Sequence, residues 1–251
     1  MKIDYPTQAQ LPALRQLWKE AFRDTEEYLN LFFSTAFSPD RCLCAQLDGR
    51  PVAALYWMDC RHLGKPVAYL YAVATSNAFR RRGICRELMD YTRTHLQHLG
   101  YAGLILVPGN ERLRFMYQRM GFQDATTLSE IKEKASAPAL PLQRITPQEY
   151  ANLRKEKLPR LSVLQEGDCL SLMAGAYTLY SGPGVLLATE ESSKQLRCVE
   201  FLGDTVAIPG VLAALKKESG TFCVPGDQHP FVMWLPLTQL QPPEYFAFAF
   251  D

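Results

Sequence analysis

The sequence predicts a mixed α/β (α+β) fold in two halves, a mixed sheet flanked by helices followed by a smaller, reduced version of the same plan. Three observations carry this expectation. Up to Phe122 the periodicities run helix, helix, strands, helix, strand, helix. Residues 134–143, KASAPALPLQ, are rich in Ala and Pro and carry no periodic pattern, as a linker does. Beyond them the same series of signals returns in shortened form.

Taken in order, Thr7-x-x-Gln10 reads as a capping box, and Leu11, Leu14, Trp18, Ala21 and Phe22 follow at helical spacing. A second helix over 25–37 is dense in aromatics: Tyr28, Phe32, Phe33 and Phe37. Two strands near 42–47 and 52–60 are joined by Asp48-Gly49-Arg50-Pro51, a turn sequence. A third strand, 67–75, runs into a polar loop. The helix after that loop places Ile84, Leu88, Thr92, Leu96 and Leu99 on one face, and Gly100 ends it. Residues 104–107 form a short buried strand, and Asn110-Glu111-Arg112 opens a last helix running to Gly121-Phe122.

In the second half Thr146-Pro147-Gln148-Glu149 is again a capping box, with proline where its missing N–H costs nothing. Residues 177–180 and 185–189 repeat the hairpin around Ser181-Gly182-Pro183-Gly184. Strand 197–202, helix 208–218 and strand 221–224 complete the series, and Val107-Pro108-Gly109 returns as Val224-Pro225-Gly226. Two unrelated segments with coincident turns are the other reading of these short matches.

Composition narrows the function classes. The chain has 251 residues, 47% apolar and 21% charged, with 27 basic against 26 acidic side chains. A net charge of +1 gives no general attraction to nucleic acid or membrane, so any phosphate binding is local. Neither a secretory signal nor an apolar run of about 20 residues is visible. Seven scattered cysteines point to reduced thiols in a cytoplasmic protein. His95 and His98 share a helix face, but no further ligand recurs at metal spacing, so no metal is expected.

Residues 67–89, VAYLYAVATSNAFRRRGICRELM, are the most informative stretch. A strand ends at Thr75, and Arg80-Arg81-Arg82-Gly83-Ile84-Cys85-Arg86 leads directly into a helix. Unpaired backbone N–H groups and the positive dipole end at a helix start attract anions. Several guanidiniums in one turn suit a diphosphate. Neither G-x-x-x-x-G-K-[ST] nor G-x-G-x-x-G is present, which disfavours nucleotide and dinucleotide loops. A solvated basic turn, or one touching RNA phosphates, is the bland alternative.

Arg80-x-x-Gly83-x-Cys85 resembles the acyl-CoA loop of the GNAT acetyltransferase superfamily, Gln/Arg-x-x-Gly-x-Gly/Ala. Val73-Ala74-Thr75, separated from Arg80 by four residues, is similar to the variant in tandem-GNAT acetyltransferases like the enhanced intracellular survival protein. Cys85 departs from the final Gly or Ala, and Asn77 stands where proline is frequent. The resemblance implies an acetyl-CoA-dependent acetyltransferase domain over residues 1–134. It also implies a degenerate GNAT-like domain over 144–251, where Gly203-Asp204-Thr205-Val206 offers an acid in place of arginines.

By the same resemblance Val73, Ala74 and Thr75 offer backbone groups to the pantetheine arm, and Arg81, Arg82, Gly83, Ile84, Cys85 and Arg86 hold the pyrophosphate. Arg80 either binds phosphate or braces the loop, and Asn110 touches the cofactor. Tyr117 protonates the departing thiolate, since Asn110 to Gly121-Phe122 is similar to the family's closing helix. A core tyrosine beside Phe115 is the alternative. The general base stays open among Asp59, Glu111, the terminal carboxylate of Asp251 and relayed water. The aromatic tail 245–251 reads as a strand returning to the core. Tyr28, Phe32, Phe33 and Trp57 are expected on the acceptor side. The expected reaction acetylates a primary amine of a small molecule or peptide, with no nucleic-acid or membrane partner and the oligomeric state undetermined. A non-catalytic acyl-CoA-binding or partner-binding protein is the alternative. Aminoacyl transfer from tRNA is disfavoured by the near-zero net charge.

Overall fold

The computed structural model describes residues 1–190 and 195–247. The first half begins with β1 (Lys2–Asp4), α1 (Leu11–Phe22) and α2 (Glu26–Thr35). The long antiparallel strands β2 (Cys42–Leu47), β3 (Arg50–His62) and β4 (Lys65–Thr75) follow. Then come α3 (Ile84–His98), β5 (Gly103–Leu106), α4 (Glu111–Gln118), β6 (Gln123–Asp124) and β7 (Thr127–Lys134). After the Pro-rich stretch the chain forms β8 (Gln143–Arg144), α5 (Pro147–Lys157), β9 (Val163–Gln165) and α6 (Asp168–Ala176). It continues as β10 (Thr178–Gly182), β11 (Val185–Glu190), β12 (Gln195–Leu202), α7 (Ile208–Ala214), β13 (Ser219–Pro225), β14 (His229–Pro230) and β15 (Met233–Pro236).

These strands build two mixed sheets flanked by helices, the expected fold class. The first runs β1-β2-β3-β4-β5-β15-β6, with β9 also on β3, and the second runs β14-β7-β13-β12-β11-β10-β8. Each contains one parallel pair, β4 with β5 and β12 with β13. The sheets do not divide where the chain does. β7 precedes the linker yet pairs with β13, and β15 comes from the second half yet lies between β5 and β6. The sequence division at 134 and 144 therefore falls after a strand that already belongs to the second sheet.

Local sequence explains the elements that position the site. Thr7 and Gln10 form their capping box ahead of α1, and Thr146 and Glu149 do the same ahead of α5. The Thr25 side chain caps α2 by accepting from the Tyr28 amide at 3.2 Å. Helix α7 stops at Ala214 rather than Glu218, because Lys216 takes a positive φ of 54° and β13 starts at Ser219. Helix α6 and strand β9 have no counterpart in the sequence expectation. The first lacks a side-chain cap and is apolar on most sides, so its periodicity is weak.

One core lies between α1, α2 and the first sheet, with Trp18, Phe32, Tyr56, Tyr69 and Tyr71, and continues into the second half through Tyr150, Leu172 and Phe246. A second packs α3 and α4 on the other face, with Ile84, Leu88, Tyr117 and Trp57. A third packs α7 on the second sheet. Each fully buried large apolar side chain contributes roughly 1.5–3 kcal/mol over its exposed state.

Candidate active site

Strands β4 and β5 start together and then part. Their parallel ladder covers only Val67 to Tyr69 against Gly103 to Ile105, and β4 runs on to Thr75 after β5 has ended at Leu106. Strand β3 stays with β4, but its register slips by one residue between Ala54↔Ala74 and Tyr56↔Tyr71. This is a β-bulge, with Ala72 at a φ of 47°. Val73, Ala74 and Thr75 thus lie on a stretch whose β5 side no described strand occupies. Backbone donors and acceptors facing such an opening are available to an extended ligand.

The loop after Thr75 is held from two sides. The Ser76 amide donates to Val52 O at 2.9 Å, and the Asn77 amide donates to Glu20 Oε1 of α1. Arg80 Nε donates to Thr75 O at 3.0 Å, a contact that spans the turn. Arg81 adopts a φ of 63° and Gly83 one of 80°, immediately before Ile84 starts α3. Glycine meets the second requirement without strain, whereas arginine at the first does not. No side chain caps α3, in contrast to α4, where Asn110 Oδ1 accepts from the Leu113 amide at 3.0 Å. The first-turn amides of α3 therefore keep their donors for an anion.

Arg80, Arg81, Arg82 and Arg86 are exposed around this helix start, and among the described residues none forms an ion pair. Arg82 lies over the Phe79 ring, 5.3 Å from its centroid, and Arg86 Nη2 donates to Arg119 O at 3.2 Å. These contacts orient guanidiniums without neutralising them. Space for close approach exists, since nothing lies within 4 Å of where a Gly83 side chain would point. Cys85 is half-buried, and burial pushes its thiol pKa up, so it stays neutral and small beside the turn. Four guanidiniums outside any described ion pair, unused amides and an open glycine suit a pyrophosphate better than any neutral ligand.

Tyr117 sits on α4 against this turn, 6% exposed, with its ring 5.8 Å from Phe122. Its hydroxyl makes no hydrogen bond with the described residues. Burial first, and Cys85 second, push the phenol well above its ordinary value, so it carries its proton throughout the neutral range. A protonated, unengaged hydroxyl beside an anion turn is equipped to donate. Asn110 instead spends its side-chain oxygen on the cap of α4.

On the opposite face of β4, Tyr71 Oη and Tyr28 Oη of α2 lie 2.6 Å apart. Phe32 and Phe33 pack there with Trp18 and Tyr56. Trp57 does not join them. It belongs to the α3 side, where its Nε1 donates to Tyr101 Oη at 3.2 Å. Neighbours on a strand point to opposite faces, and that alternation separates Trp57 from Tyr56. Asp59 lies opposite Ala68, away from the bulge, bound to Arg41 at 2.9 Å and Tyr101 at 2.5 Å. Glu111 is exposed and pairs with Arg114 at 3.4 Å. Both carboxylates are ion-paired. Asp251 lies outside the described residues. Glu20, which fixes the loop, and the pairing of Tyr71 with Tyr28 escaped the sequence reading, because the partners are 57 and 43 residues apart.

The loop between β12 and α7 is built differently. Asp204 Oδ1 accepts from the Val206 amide at 3.0 Å and so occupies the loop's own donor, and 203–210 contains no arginine.

Residues 11–122 match the model of the Acetyltransferase (GNAT) family. This segment is a GNAT acetyltransferase domain. Solved structures agree in fold over nearly the whole chain. A GCN5-related N-acetyltransferase from Kribbella flavida is 14% identical, covering 94% of this chain and 72% of that one with a TM-score of 0.72. Eis1 from Mycobacterium abscessus is 14% identical, with 94% and 74% covered and a TM-score of 0.68. A tandem GNAT protein from the clavulanic acid biosynthesis pathway is 14% identical, with 96% and 100% covered and a TM-score of 0.59. No curated protein sequence matches the chain. The GNAT domain spans both α1 and the arginine turn, so the open end of β4 and the uncapped start of α3 lie inside it. The enzyme is an acyltransferase of the GNAT type. Among the described residues no helix is long and apolar enough to cross a membrane.

Proposed function

We propose that the chain transfers an acetyl group from acetyl-CoA to a primary amine of a small molecule or peptide. The observation that carries this reading is the uncapped start of α3 among four arginines that no described carboxylate pairs, adjoining the end of β4 that is open on its β5 side. Acetyl-CoA, when bound, supplies an activated acyl carbon and a thiol leaving group. The α3 amides with Arg81, Arg82 and Arg86 hold the diphosphate, and Arg80 keeps the turn in shape through Thr75. Backbone groups of Val73 to Thr75 align the pantetheine arm, and an amide in that stretch polarises the carbonyl. Tyr117 gives its proton to the departing sulfur and recovers one from solvent. The cytoplasm is the compartment in which seven free cysteines persist.

Thermal shifts with acetyl-CoA, free CoA, NAD and ATP, followed by thiol release over a panel of primary amines, test this. Stabilisation by both CoA forms and thiol release with at least one amine are expected. Stabilisation with no thiol release from any amine favours a non-catalytic acyl-CoA-binding protein. The lack of a carboxylate between Val67 and Thr75 of β4 is the feature that supports that second reading.

A further inference from the structure

Glu20 stands in the last turn of α1, where an acid adds nothing to the helix. The C-terminal end of a helix carries partial negative charge and favours cations. Lys19, the basic residue of that turn, pairs with Glu26 instead. Among the described residues no lysine or arginine pairs with Glu20. Its backbone is nevertheless well fixed. Leu17 and Trp18 beside it are buried, and the Trp18 indole N–H donates to Asp24 Oδ2 at 2.7 Å. The half-buried Glu20 carboxylate is therefore held on a rigid support, and its partners lie off the helix.

Those partners are two donors of the loop that follows β4. Glu20 Oε1 accepts from the Asn77 amide and from Ser76 Oγ, the latter at 3.3 Å. Asn77–Phe79 is a single tight turn, and Asn77 supplies its first unpaired amide. Ser76 stands at the capping position, but its side chain does not cap the turn. Glu20 performs that task from 57 residues away, with a charged acceptor. The turn separates Val73–Thr75 from the arginine-bearing start of α3. Whatever fixes it fixes how those two segments face each other.

We propose that Glu20 is a positioning residue for acetyl-CoA. By holding the Ser76–Asn77 corner against α1, it sets the spacing between the end of β4 and the arginine turn, so that one ligand engages both. This inference rests on the acyl-transfer reading and adds to it a residue that touches neither the ligand nor the reacting atoms. A ligand that bridges two segments binds more tightly when they are held ready, because no ordering of the chain then opposes it. A ligand that touches one segment alone gains nothing from their spacing.

Equilibrium binding of three probes to wild type, Glu20→Gln and Glu20→Ala tests it. The probes are acetyl-CoA, S-acetylpantetheine, which reaches the β4 segment alone, and ADP, which brings a diphosphate to the arginine turn alone. Glu20→Ala is expected to weaken acetyl-CoA about tenfold, as loss of a hydrogen bond to a charged group does, with both fragments within about twofold of wild type. Glu20→Gln keeps an accepting oxygen and should bind acetyl-CoA within about threefold of wild type. Ser76→Ala removes one donor and should weaken acetyl-CoA about threefold, which keeps the test open if Glu20→Ala does not fold. Acetyl-CoA affinity unchanged in the folded variants, equal weakening of all three probes, or a glutamine variant as weak as the alanine one each overturn the proposal. A wild-type protein that does not bind acetyl-CoA overturns the acyl-transfer reading itself, and this inference with it.

Discussion

The indole of Trp234 on β15 lies where a side chain of Gly103 on β5 would stand. A Cβ at Gly103 would come within 1.9 Å of the ring. Trp234 is paired with Ile105 in the same ladder and is buried. The second half thus docks an inner strand on the first through a residue without a side chain. Gly103→Val should force Trp234 off β5 and destabilise the protein by about 1–3 kcal/mol or more. Urea unfolding should show a lower midpoint and one cooperative transition for both halves. A midpoint within error of wild type would contradict the packing.

Tyr117→Phe removes the unengaged hydroxyl and keeps the ring against Phe122. Turnover is expected to fall on the order of a hundredfold or more with acetyl-CoA affinity unchanged. The pH profile carries a second expectation. A free phenol loses its proton near pH 10, but burial raises the Tyr117 pKa above that. The acid limb of catalysis should therefore persist to at least about pH 10, and a loss of kcat centred below about pH 9 would assign the donor to another group.

Arg81→Ala and Arg82→Ala each remove an exposed guanidinium from the turn. Acetyl-CoA binding by calorimetry should weaken roughly tenfold for each, with a smaller dependence on salt. Arg80→Ala acts otherwise, because its Nε braces Thr75. Loss of that brace should lower stability as well as affinity.

Glu200 of β12 is fully buried and accepts from Arg154 Nε of α5 at 2.8 Å, so Arg154→Met leaves it buried with no cation. The cost is expected to be about 3–5 kcal/mol, and the double variant Arg154→Met with Glu200→Leu should recover much of it. Alkaline unfolding checks the same region. Burial first, then Glu200, raises the Tyr150 and Tyr245 phenols. A raised phenol contributes stability that is whole below its unfolded pKa of about 10 and is lost as pH climbs beyond it. Stability should therefore hold to about pH 10 and then fall.

The β4–turn–α3 unit was legible because its determinants are local. An apolar run, an arginine cluster, Gly83 and an amphipathic helix stand side by side, and only the Glu20 and Val52 contacts that hold the loop come from farther away. The same holds for both capping boxes and for the Asp48-Gly49 hairpin. Pairings over long separations were not legible. Met233–Pro236 reads as any short apolar strand, and nothing in it names β5 as its neighbour. Glu200 reads as one acid in an apolar strand, and its burial makes sense only once Arg154, Tyr150 and Tyr245 surround it. Trp57 was misplaced for a simpler reason: aromatics occupy both faces of β3, so composition gave no side and only alternation did.

The exchange of β7 and β15 bears on how such a molecule can be cut or rebuilt. A fragment ending at residue 134 would carry an orphan strand at its end and a gap beside β5, and the remainder would have the converse defects. The stretch 135–142 is thus a crossing between interlocked bodies and a poor place for a splice, and neither half should be expected to survive as a portable module.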